Sequence, residues 1–94
     1  AFIRENFQFR IMIELGALRI FAQTDIAAWC DTMIAAHDRS TRDLSDATNV
    51  EAATARFVAL DRRFHADIVG VLRNAAISGT HRRLQENIGI ARLT

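Results

Sequence analysis

Proline is absent from these 94 residues and glycine occurs only four times, so helix breakers are scarce and long helices joined by short polar turns are favoured. A single cysteine excludes an internal disulfide. Cys30 lies in the run Ala27-Ala28-Trp29-Cys30 and reads as a small core residue, because free cysteines usually pack as hydrophobes. No apolar stretch approaches the roughly 20 residues that a membrane span needs, and Arg4, Glu5 and Arg10 interrupt any secretory leader. The expected compartment is the cytoplasm, with no membrane partner. The formal charge of +1 gives no general pull toward polyanions. His81-Arg82-Arg83 is the one basic cluster; it is short, lacks interleaved aromatics, and reads as a solvated helix face.

Hydrophobic residues make up 50% of the chain and charged residues 24%, the balance of a soluble globular protein. The expectation is one helical domain over residues 1–94, without repeats or low-complexity segments. A chain this short buries a modest core, so a partner chain or more sequence is plausible. The opening Ala1-Phe2-Ile3 lacks a Met, and the apolar run Ile88-Gly89-Ile90-Ala91-Arg92-Leu93 continues almost to Thr94, so both ends look cut.

Apolar spacing predicts an all-α fold, an antiparallel bundle of about four helices. Phe7, Ile11, Leu15, Leu18 and Ala22 recur at intervals of three and four, marking a first helix over about residues 3–23. Thr24-Asp25 offers capping oxygens for a second helix through Trp29, Met33 and Ile34 to about Arg39. The polar stretch from Asp38 to Asn49 reads as a loop or frayed end, and Thr48 with Glu51 as a capping box for the third helix. That helix carries Phe57, Leu60, Phe64, Ile68 and Leu72 and should end near Arg73-Asn74. A fourth, weakened by Gly79, follows from about Ala75 to Arg92 with Ile77, Leu84, Ile88 and Ala91 in phase.

Ionisable residues fall where the core should be. With Phe57 at zero and about 100° per residue, Asp61 lies at about 40° and His65 at about 80°, within or beside the apolar stripe. Arg56, Arg62, Arg63 and Asp67 take the opposite side. A buried carboxylate costs several kcal/mol unless paired, so Asp61 needs a partner. Four residues apart on a helix, Asp61 and His65 can share a hydrogen bond or converge on one divalent ion, for which they would be two ligands. The first helix repeats the anomaly: Arg10 and Glu14 also fall on the apolar stripe around Phe7. They are either an internal ion pair or an anion-binding arginine oriented by its neighbour. His37, at the end of the second helix, should be exposed.

The order Arg10-Ile-Met-Ile-Glu14, then Asp61-Arg-Arg-Phe64-His65, then Asn74 resembles the FCD domain, the effector-binding C-terminal domain of FadR-type GntR transcription regulators. The likeness runs from about Phe7 to Leu93 and covers roughly the first two-thirds of such a domain. It implies a partial FCD-type helical bundle and a divalent metal, zinc or nickel-like, on Asp61, His65 and two later histidines. Small organic acids would be held there, with Arg10 as an effector contact. Phe64 would serve packing, and Asn74 would end the helix or fix the turn. The two later histidines would follow the point where this chain stops, and His81 comes too soon after Asn74 to replace either, which leaves the site half-built. The DNA-reading winged helix of the family would lie in a missing N-terminal domain, so DNA contact is indirect, and the paired domains would form a homodimer.

A competing reading is a helical dimerisation or packing module in which Arg10, Glu14, Asp61 and His65 form buried ion pairs and bind nothing. Catalysis is disfavoured, because no Ser, Cys or Glu is spaced to act as a base beside an open metal position.

Overall fold

The computed structural model describes residues 2–93 and is an all-α helical bundle with four helices. These are α1 (Phe2–Phe21), α2 (Ala27–Asp46), α3 (Val50–Gly70) and α4 (Ala75–Leu93). No strand occurs among the described residues. Ala91, which the apolar pattern assigned to the fourth helix's stripe, has a side chain outside the described residues.

The largest departure from the sequence expectation is α2, which continues through the polar stretch and leaves only residues 47–49 as a connection. That stretch holds no Gly or Pro, and Ser45 Oγ is satisfied within the helix, donating to the Thr41 carbonyl at 3.2 Å. Thr24 closes α1 instead of opening α2, its hydroxyl donating to the Phe21 carbonyl at 2.8 Å. Asp25 Oδ1 does accept the Ala27 amide, at 3.3 Å. The cap of α3 is Asn49, one residue beyond the expected Thr48, with Oδ1 accepting the Ala52 amide at 3.1 Å. Helix α3 stops at Gly70, earlier than expected, and a turn leads to Arg73, whose φ of 49° is left-handed. Asn74 Oδ1 then accepts the Ile77 amide at 3.1 Å and opens α4.

The chain divides into two compact units, Ala1–Thr24 with His65–Thr94, and Asp25–Phe64. In the first, α1 and α4 pack on each other and on the end of α3, burying Ala17, Phe21, Ile68, Val69, Leu84 and Ile88. Asn87 reaches Asn6 and His81 reaches Glu14, so α1 and α4 run antiparallel. In the second, Met33 and Ala53 are buried and Trp29 stacks on Phe64 with centroids 5.3 Å apart. Arg56 donates from both Nε and Nη2 to Asp43 Oδ2, at 3.0 and 2.6 Å, joining α3 to α2 at the surface.

The face that α1 buries was assigned in part: Arg10 and Glu14 are turned inward as expected and Phe7 is half-buried, but Ile11, Leu15, Leu18 and Ala22 of the expected stripe are exposed, and Ile13, Ala17 and Phe21 are covered as well. Because α1 carries apolar residues on more than one face, hydrophobic spacing does not select a face; the polar partners on the neighbouring helices do.

Candidate functional site

The buried face of α1 carries Arg10 and Glu14 one turn apart, and Glu14 is the centre of a polar cluster in the first unit. Its Oε1 accepts from His65 Nδ1 at 2.8 Å and its Oε2 from His81 Nε2 at 2.9 Å. Arg10 Nε lies 3.3 Å from Oε2, but the N–H is not aligned on it, so the contact is ionic and this buried donor has no hydrogen-bond acceptor among the described residues. The guanidinium sits 5.1 Å from the Phe7 ring centroid, a cation–π distance. Three elements thus place four polar side chains together, with His81 only 2% exposed and Glu14 16%.

Electrostatics decide the state of the carboxyl group. Burial by itself would raise the Glu14 pKa, but the hydrogen bonds from His65 and His81, with the charges of His65 and Arg10, overcome it and lower the pKa to about 2. Glu14 is therefore ionised at neutral pH and can only accept hydrogen bonds. It follows that the ring nitrogens facing it, Nδ1 of His65 and Nε2 of His81, both carry hydrogen.

Of the residues singled out in the sequence, Arg10, Glu14 and His65 come together. Asp61 is half-buried one turn before His65 on α3. Phe64 is half-buried, stacked by Trp29 and met edge-on by His37 at 5.7 Å. His37 is accordingly half-buried, not exposed as expected, and its Nδ1 lies 2.7 Å from the Met33 carbonyl. Cys30 is half-buried, where a core position was expected. Asn74 is exposed at the start of α4, apart from the cluster.

The residue that the sequence reading missed is His81, assigned to a solvated face and found as one of the most buried side chains. Its neighbours Arg82 and Arg83 are exposed, and their charge coloured the reading of all three. The signal was present in the phase of α4, since His81 is four residues after Ile77 and three before Leu84, on the apolar stripe itself.

Among the described residues no group of three or more His, Cys, Asp or Glu side chains is placed to hold a metal ion. Asp61 and His65 stand one turn apart on α3 and are two donors at most, short of a metal site by themselves. Two of the surface cavities among the described residues lie elsewhere. One of about 370 Å³ in the first unit is lined by Phe9, Met12, Ile13, Leu72, Ile77 and Thr80 among others. The other, about 630 Å³ in the second unit, includes Arg39, Ser40, Asp43, Asp46, Arg56 and Leu60. Neither is lined by a member of the Glu14 cluster.

No helix of the described residues is long and apolar enough to cross a membrane. No curated protein and no solved structure matches the chain. The family model described as the FCD domain matches residues 5–94, nearly the whole sequence, including Arg10, Glu14, Asp61, Phe64, His65 and Asn74. This chain belongs to the FCD domain family, the effector-binding regulatory domain of GntR-type transcription regulators.

Proposed function

We propose that this chain senses a small organic acid for a GntR-type regulator, with Arg10 contacting the effector's carboxylate and a zinc or nickel-like ion held in part by Asp61 and His65. The observation that carries the reading is the buried Nε of Arg10, a cationic donor without an aligned acceptor beside a carboxylate already engaged by two histidines. A buried donor left unbonded costs about 1–3 kcal/mol, and an incoming carboxylate would recover it through a charge-assisted bond. The metal, when bound, would supply Lewis-acid attraction for a carboxylate oxygen. In this reading no reaction is catalysed. The domain works as part of a cytoplasmic homodimer, and effector binding changes DNA affinity only through a separate DNA-binding domain, by favouring one of two arrangements.

Titration calorimetry tests this with zinc chloride and with a set of small mono- and dicarboxylates, each titrated with and without zinc. The wild type is expected to bind zinc and His65→Ala to lose it, while Arg10→Gln keeps zinc and loses the carboxylate. Absence of zinc binding removes the metal from the proposal. Absence of carboxylate binding under both conditions overturns sensing.

A second reading, a packing and dimerisation module without a ligand, draws on two observations. Glu14 is satisfied from within the chain, and α1 exposes large apolar side chains, including Phe9, Met12 and Leu15.

A further inference from the structure

We propose that the outward face of α1 binds the same face of a second copy of this chain, with the two helices antiparallel, Met12 of each on the two-fold axis and Glu5 of each opposite Arg19 of the other. This deepens the homodimer of the reading above by naming its surface, rests on that homodimer, and needs neither metal nor effector.

At about 100° per residue, Met12 lies opposite the middle of the face that Arg10, Glu14, Ala17 and Phe21 turn inward. Glu5, Gln8, Phe9, Leu15, Gly16 and Arg19 all fall within about 60° of Met12, and all are exposed. Their order along the helix makes a second copy the fitting occupant. Glu5 and Arg19 stand equally far before and after Met12, and so do Phe9 and Leu15, and Gln8 and Gly16. A two-fold axis at Met12 therefore sets acid against base at both ends and apolar against apolar between them, which is the self-complementarity an isologous contact requires. A parallel pair in register would set Glu5 against Glu5 and Arg19 against Arg19.

Gly16 and the cavity beside it supply the fit. Glycine within a helix weakens it, yet a Cβ on Gly16 would meet nothing of this chain within 4 Å, so the chain's own packing does not require a glycine there. In the antiparallel register Phe9 of the second copy arrives on the Gly16 side of α1. The cavity of about 370 Å³ opens at that place, lined by Met12, Ile13 and Gly16 of α1 with Leu72 and Ile77. The absent side chain leaves room for the incoming ring, and by symmetry Phe9 of the first copy enters the cavity of the second. Glu5 in the first turn and Arg19 in the last also suit the helix dipole. Exchanging the two charges opposes the dipole at both ends but restores the pairing between copies, so the two causes are separable.

Sedimentation of the 94-residue chain tests this, and the wild type should be a dimer at micromolar concentration. Glu5→Arg and Arg19→Glu should each weaken association about tenfold or more, because each sets like charges together at both ends of the contact. Mixed with each other, the two variants should form a heterodimer in preference to either homodimer, and the chain carrying both should associate as the wild type does. Gly16→Gln should keep its helix content and lose association. Met12→Cys in a Cys30→Ala background should oxidise to a disulfide-linked dimer. A dimer that withstands both reversals and shows no preference in the mixture overturns this surface and leaves the homodimer standing. A wild type that is monomeric at tens of micromolar overturns both.

Discussion

Glu14 sits where desolvation alone would favour its protonated form, and three neighbours on two further elements and its own helix reverse that preference. The folded-state pKa of about 2 is below the ordinary value of 4.5, so the carboxylate contributes stability that is fully present above about pH 4.5 and lost as pH falls toward 2. The full contribution is at most about 3 kcal/mol. Glu14→Gln removes it and turns an amide N–H₂ toward one of two buried donors. We expect urea midpoints at pH 7 to show the variant less stable by about 1–3 kcal/mol, with the gap closing between pH 4.5 and pH 2. A gap that persists unchanged at pH 2 would show that the loss is steric and not electrostatic.

At the scale of single elements, α4 depends on its start and tolerates its interior glycine. Asn74 supplies the oxygen that satisfies the Ile77 amide, directly after the left-handed Arg73. Asn74→Ala should cost about 1 kcal/mol in thermal or urea unfolding, the usual loss of a capping side chain. Gly79 is different. A Cβ there would meet only the end of the Arg83 side chain, at 3.6 Å, which is ordinary contact. Gly79→Ala should therefore stabilise the chain by up to about 1 kcal/mol, through the entropy that glycine gives to the unfolded state. Destabilisation by Gly79→Ala would mean that the helix has to bend there. Helix α2 shows the converse case: a polar run without Gly or Pro stayed helical, with Ser45 bonded back to its own helix and Asp43 paired with Arg56 of α3.

For the molecule as a whole, the uncovered side of α1 is the feature with consequences. Met12 is 68% exposed and Leu15 62%, and Phe9, Ile11 and Leu18 are exposed on the same helix. A helix with large apolar side chains exposed on the side away from its packed face is usually covered there too, so the 94-residue chain is expected to self-associate. Sedimentation at micromolar concentration should show dimers or larger species, and Met12→Glu with Leu15→Glu should shift them to monomer without loss of helix, since both positions face outward. A wild type that sediments as a monomer at tens of micromolar would sink this expectation.

The sequence by itself determined the helical class, the approximate extent of α1 and α4, and the apolar stripe of α3 with Asp61 and His65 among its members, because these follow from local propensity and a 3.6-residue period. The spacing of Arg10, Glu14, Asp61, Phe64, His65 and Asn74 also carried the family. That Ile13 and Ala17, not Ile11 and Leu15, share the buried face of α1 with Arg10 and Glu14, and that His81 completes the Glu14 cluster, only the tertiary structure decided. Glu14 and His81 are 67 residues apart, and no local pattern records that an ionised carboxylate on one helix and a ring on another satisfy each other's hydrogen bonds. That match is a property of the packed helices, where water is excluded and a buried donor left without an acceptor costs free energy.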